Sequence, residues 1–113
     1  MTLNIATDSS FQYVSVTGML VNSNDSFFLL LNEKIPDSGD VAAHADAWDA
    51  GTEKNNESCA EVPGPACNPA GTGSVDEDGV IHISNGIHGN GDLSASTYDW
   101  RNPVASVVIR KKQ

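Results

Sequence analysis

The chain consists of short β-type segments separated by turn-forming residues, and it shows almost no helical periodicity. Residues 11–21, 26–31, 80–84 and 104–111 are rich in β-branched or other large apolar residues, and residues 41–48 form a weaker fifth candidate. Turns rich in Asn, Asp, Pro and Gly lie between them. This spacing predicts an all-β fold, an antiparallel sandwich or barrel of about five or six strands.

At 113 residues the chain is long enough for one domain and too short for two independent cores. We expect residues 11–113 to form the β-domain. Residues 1–10 are then either an N-terminal extension or an extra strand.

The charge of the chain excludes one class of partner. Fifteen Asp and Glu stand against six Lys and Arg, and four of those six bases follow residue 100. Nucleic-acid binding depends on Lys and Arg that displace counterions, so we expect no nucleic-acid partner. No apolar stretch is long enough for a membrane span, and residues 1–20 lack the pattern of a secretory signal.

The segment 51–73 has no periodicity and is longer than a usual connection between strands. A loop of this length is usually functional, or else it is held in place by a cross-link. It contains the two cysteines, Cys59 and Cys67. Their spacing fits neither a zinc site nor a Cys-x-x-Cys redox site, and a local disulfide is the favoured interpretation. A disulfide indicates an oxidising compartment, whereas two free thiols would fit a cytosolic loop.

Acidic residues near two predicted strand ends are candidate calcium ligands. Asp49 and Glu53 flank a glycine turn, and Asp25 lies at the start of a neighbouring strand. Calcium takes six to eight oxygen ligands from carboxylates, amides and main-chain carbonyls. The alternative is that these are ordinary acidic turn residues on a solvated surface.

A second polar group surrounds the glycine-rich stretch 85–92. His82, His88 and Asp92 are candidate ligands for a transition metal, and this is the only sign of a metal-dependent hydrolase. Because His82 alternates with Ile81 and Ile83, it is expected to face away from them. A hydrogen-bonded structural histidine is the simpler interpretation.

Five motifs in order resemble the bacterial form of the spondin N-terminal domain. They are GMLVNSNDSFF (18–28), DAGTEKN (49–55), SCAEVPGPAC (58–67), IHISNGIHGNGDL (81–93) and YDWRNPVASVVI (98–109). The resemblance implies an antiparallel β-sandwich with calcium-binding loops at one end. Mapped onto this sequence, it implies that Asp25, Asp49 and Glu53 are the calcium ligands, with Glu53 where animal members often have Asp.

The resemblance also implies a secreted, non-catalytic adhesion or matrix module, located extracellularly or in the periplasm. Its partner would be an extracellular protein, a glycan or another copy of the chain. Domains of this family are nearly twice as long, and this chain matches their C-terminal portion. The sandwich is therefore expected to be incomplete and closed by residues 1–10 or by another chain. The alternative function is a structural subunit that self-assembles through open sheet edges.

Overall fold

The computed structural model describes residues 1–112, and these contain five β-strands and one short helix. In chain order they are β1 (Tyr13–Met19), β2 (Ser26–Lys34), β3 (Asp40–Asp49), β4 (His82–Ile83), α1 (Ala95–Tyr98) and β5 (Ala105–Arg110). Every strand pairing is antiparallel. The predicted all-β class is confirmed.

The long strand β3 organises the sheet. Its second half pairs with β2 from Ser26↔Asp49 to Leu29↔Asp46, and its first half pairs with β5. The last two residues of β3 also pair with β4. Among residues 1–112, β1 pairs only with β2 and so forms one edge of the sheet. The weakest of the five predicted strands is therefore the centre of the sheet.

The predicted strand over residues 80–84 is much shorter in the structure. Only His82 and Ile83 pair, against the end of β3. Ile81 is 63% exposed and Ile83 is 46% exposed, so the two isoleucines do not enter a core. The apolar character of this segment is not explained by burial within residues 1–112.

The second half of the domain is built from loops rather than from a second sheet. Its buried cluster consists of Val62, Cys67, Ile87 and Leu93, none of which lies in a strand. This half continues beyond the end of the sheet where β2 begins and β3 ends, and the molecule measures 48 × 28 × 22 Å. The second sheet of a sandwich is not seen in the described residues, so the sandwich stays unconfirmed.

Residues 1–10 form no strand, and each of them is exposed. A hydrogen-bonded turn at residues 8–11 joins them to β1, with Phe11 N–H donating to the Asp8 carbonyl at 3.1 Å. None of the helices in residues 1–112 is long and apolar enough to cross a membrane.

Candidate cation-binding site

The carboxylate of Asp25 ties the turn before β2 to the loop after β3. Its Oδ2 atom accepts hydrogen bonds from the Thr52 N–H (2.8 Å), the Thr52 hydroxyl (2.8 Å) and the Glu53 N–H (2.9 Å). Its Oδ1 atom is buried and has no hydrogen-bond partner among the described residues. A buried carboxylate oxygen without a donor costs free energy unless another group satisfies it. Asp25 therefore offers a free acceptor where the two loops meet.

Glu53 lies in strongly acidic surroundings. It forms an isolated β-bridge with Asp76. Partial burial raises the pKa of the Glu53 carboxyl, and repulsion from Asp25, Glu61 and Asp76 raises it further. Within residues 1–112, no Lys or Arg side chain forms an ion pair with any of these four carboxylates. The negative charge of these four carboxylates is thus not neutralised by a direct Lys or Arg ion pair within the described residues.

Asp49, the third predicted ligand, shapes the turn that follows β3. The residue is 1% exposed, and its Oδ1 accepts the Gly51 N–H at 2.7 Å while Oδ2 accepts the Asn55 side-chain amide. Gly51 has φ +69°, and a Cβ there would lie 2.6 Å from the Val80 carbonyl oxygen. Both Asp49 oxygens are therefore engaged by groups of the chain itself.

The structure brings two of the three predicted ligands together. Asp25 and Glu53 share the loop contact and repel each other, whereas Asp49 is directed to its own turn. In the part of the chain that the structure describes, no three His, Cys, Asp or Glu side chains group as metal ligands. A hard cation here would need amide and main-chain oxygens in addition to Asp25 and Glu53.

Replacing Glu53 by Gln is expected to stabilise the metal-free protein at neutral pH. Its pKa is raised on folding, so the folded state binds the proton more tightly than the unfolded state. Ionised Glu53 therefore lowers stability as pH rises above about 4.3, the ordinary value for Glu. Well below that value the carboxyl is protonated in both states, and the two proteins should be equally stable. Urea unfolding in chelator from acid to neutral pH measures this difference; a less stable variant at pH 7 contradicts it.

Two amide side chains, the buried Asn24 and the half-buried Asn56, connect the turn before β2 to the long loop. Asn24 is 4% exposed; its Oδ1 accepts the Glu57 N–H at 3.2 Å, and its amide donates to Asn56 Oδ1 at 3.2 Å. Asn56 Oδ1 also accepts the Ser58 N–H at 3.0 Å, and its amide donates to Glu61. This network fixes the position of the Glu61 carboxylate beside Glu53.

Glu57 is an important residue that the sequence did not reveal. It is 2% exposed and has a left-handed backbone, with φ +57°. Its Oε1 accepts the His88 N–H at 2.6 Å, and its Oε2 accepts the N–H groups of Asn90 (2.7 Å) and Gly91 (3.4 Å). Its carbonyl accepts the Asp92 N–H at 2.9 Å. One buried glutamate therefore holds the glycine-rich stretch, and no motif in the sequence indicates it.

His82 lies beside the acidic loops and is 45% exposed at its side chain. Its Nδ1 donates to the Ile83 carbonyl at 2.9 Å, and its Nε2 is 3.9 Å from Asp49 Oδ1. The bond to Ile83 raises the pKa of His82, and the charges of Asp49, Glu77 and Asp25 add to this rise. His82 is thus a hydrogen-bonded histidine at the edge of the acidic region.

The other two residues of the second predicted polar site bond elsewhere. His88 Nε2 donates to the Asn85 carbonyl at 2.9 Å within its own turn. Asp92 Oδ2 accepts the Cys59 N–H at 2.8 Å. His82, His88 and Asp92 therefore use their polar atoms on three separate parts of the chain.

The predicted disulfide between Cys59 and Cys67 is confirmed. Cys67 is 3% exposed and belongs to the buried cluster with Val62, Ile87 and Leu93. The disulfide thereby pins the long irregular segment to the loop-built core.

Comparison of the chain with protein-family models, curated proteins and solved structures finds no match. The similarity to spondin N-terminal domains depends on the five sequence motifs alone, so membership of that family stays a prediction.

Proposed function

We propose that this chain is an extracellular, non-catalytic module of adhesion or matrix type that binds calcium between the turn before β2 and the loop after β3. The observation that carries the proposal is the buried, unpartnered Oδ1 of Asp25 beside Glu53, whose pKa is raised. Both features disfavour the metal-free site at neutral pH. A divalent cation would give Asp25 Oδ1 a partner and would reduce the repulsion between Glu53 and its acidic neighbours.

The donor chemistry of the site suits calcium. Asp25 and Glu53 supply carboxylate oxygens, and Glu61 and Asp76 add negative charge to the same region. Calcium accepts irregular sets of carboxylate, amide and main-chain oxygens, all of which these loops contain. When bound, the ion supplies positive charge that holds the two loops together.

The disulfide supports an extracellular role, and the net charge bears on the class of partner. The Cys59–Cys67 disulfide is of the kind that persists in oxidising compartments. The net charge of −9 disfavours nucleic acid and anionic lipid surfaces, which leaves a protein or a glycan as the partner we propose.

Calcium is expected to raise the melting temperature of the wild-type protein. Extracellular modules often bind with a Kd of about 0.1–1 mM, so 10 mM calcium should be at least about ten times the Kd. If calcium binds only the folded state, this excess raises the free energy of unfolding by about 1.4 kcal/mol. For a domain of this size that corresponds to a rise of roughly 6 °C in melting temperature. Thermal unfolding in 10 mM calcium and in excess chelator measures the shift.

Two variants distinguish calcium binding at this site from general screening of the protein's negative charge by calcium. Glu53→Gln should lose most of the calcium-dependent rise while being more stable than wild type in chelator. Glu77→Gln makes the same charge change at an exposed position and should keep the full rise. No calcium-dependent shift in the wild-type protein, or an equal loss in both variants, would rule out this site.

A further inference from the structure

The outer edge of β1 is an unprotected sheet edge. In the described part of the chain β1 pairs only with β2, and its sequence YVSVTGM contains no charged residue and no proline. A bulge between Val14 and Val16 is its one irregularity, and the register from Val16 to Met19 is regular. Soluble proteins normally protect such an edge with charges, proline or a covering segment. The outer edge of β1 has none of these protections apart from the bulge.

The main-chain groups that this edge offers can be identified from the register. Leu20 N–H donates to the Ser26 carbonyl of the neighbouring strand at 2.8 Å. Because main-chain groups alternate in direction along a strand, Gly18 also points to β2, whereas Thr17 and Met19 point outward. Thr17 and Met19 are thus ready to pair with an added strand.

The opposite side of the sheet carries charged residues where β5 ends. β5 ends at Arg110, whose guanidinium bonds both carboxylate oxygens of Asp40, and Lys111 and Lys112 follow. Lys111 and Lys112 discourage strand addition at that end of the sheet. β1 is the more receptive of the two edges.

Residues 1–7 have the pattern of a strand but form none. Met1, Leu3 and Ile5 alternate with polar residues and are 111%, 65% and 66% exposed. Strict alternation of this kind is typical of a strand with one buried face. The segment also contains no charged side chain, which suits an uncharged edge.

We propose that residues 1–7 of a second copy of this chain pair along the outer edge of β1, and that two chains exchange these segments to form a dimer. In this arrangement Leu3 and Ile5 extend the half-buried row formed by Val14 and Val16. Seven residues at about 3.3 Å each match the seven residues of β1. The added strand supplies main-chain partners, and its alternate side chains supply specificity.

A second copy is favoured over the same chain because residues 1–7 stay exposed and unpaired, even though the turn at residues 8–11 reverses the chain directly before β1. Ser10 N–H donates to Asp8 Oδ1 at 2.7 Å, and Phe11 N–H donates to the Asp8 carbonyl. With this turn formed, residues 1–7 do not pair with their own β1. Each chain thus has both a free segment and a free edge, the two parts that a reciprocal exchange needs. Neither residues 1–7 nor β1 contains an acidic side chain, so the net charge of −9 causes no repulsion between carboxylates within this contact.

The first test replaces the apolar row of the segment in the full-length chain. Light scattering during size-exclusion chromatography should give the mass of a dimer for wild type and of a monomer for Leu3→Asp/Ile5→Asp. Loss of two buried aliphatic side chains should raise the dimer Kd by about 100-fold or more. Thr2→Asp/Asn4→Asp adds the same charge to the other face of the segment and should keep the dimer.

The second test blocks the receiving edge. Thr17→Pro removes an outward N–H that β2 does not use, and it should also give a monomer. Thr17→Val keeps that N–H and loses the same hydroxyl bond to the Phe28 carbonyl, so it should remain dimeric. Circular dichroism checks that each variant keeps its β-structure.

Several results would overturn the proposal. A wild-type monomer at millimolar concentration excludes a second copy, and a monomer with amides 2–6 protected from hydrogen exchange shows that the segment folds onto its own sheet. A dimer that survives both Leu3→Asp/Ile5→Asp and Thr17→Pro uses another surface. Equal loss of the dimer in the test variants and their controls shows a nonspecific charge or stability effect.

Discussion

Replacing Glu57 by Gln is expected to lower the free energy of unfolding by about 3 kcal/mol, roughly 12 °C in melting temperature. The buried carboxylate accepts main-chain N–H groups of His88, Asn90 and Gly91 with its two oxygens. Gln keeps the shape but places an NH2 group against donors, which leaves buried N–H groups without partners. Chemical and thermal unfolding measure the loss.

The control for this prediction is Glu77→Gln, which removes the same charge from an exposed side chain. Its effect should stay within about 0.5 kcal/mol. Hydrogen exchange should further show that the amides of His88 and Asn90 lose protection in Glu57→Gln and keep it in Glu77→Gln. If Glu57→Gln is as stable as wild type, the carboxylate does not hold the glycine-rich stretch.

The positions of the strands were largely predictable from the sequence, but which strand lies at the centre of the sheet and how long each strand is were not. Residues 41–48 gave the weakest strand signal because Ala has low β-propensity. In the structure Ala45 and Ala47 are buried while His44 and Asp46 are exposed, a period of two that small side chains make easy to overlook. Residues 80–84 show the opposite case. Their β-branched residues predict a full strand, but only His82 and Ile83 find a pairing partner in β3. Propensity identifies where strands form, and pairing partners decide their length.

The candidate site was predictable only where strand register determines it. Asp25 and Glu53 come together because Ser26 pairs with Asp49, so the start of β2 and the end of β3 lie side by side. Antiparallel pairing of two predicted strands is enough to suggest that contact. Glu57 was missed because its partners are main-chain N–H groups about thirty residues away in an irregular loop. Main-chain donors have no sequence signature, and neither does a left-handed glutamate.

Breaking the Cys59–Cys67 disulfide is expected to cost about 2–3 kcal/mol, roughly 10 °C in melting temperature. By the chain-entropy argument, the bond removes freedom from the unfolded chain that a loop of this size would otherwise have. In the folded protein it anchors a segment in which Val62 is fully buried and Ala66 N–H donates to Asn22 Oδ1. Thermal unfolding of the oxidised protein, the reduced protein and Cys59→Ala/Cys67→Ala measures the effect.

The reduced wild type and the double variant separate two contributions. Reduction keeps both sulfur atoms and removes only the cross-link, whereas Cys67→Ala also removes an atom packed against Ile87 and Leu93. The double variant should therefore be less stable than the reduced wild type by about 1 kcal/mol, the cost of a small cavity. Because the long loop carries Glu57 and Glu61, reduction should also weaken the calcium-dependent rise in melting temperature. A reduced protein with unchanged stability and an unchanged calcium response would mean that the loop is held by its hydrogen bonds and buried apolar side chains alone.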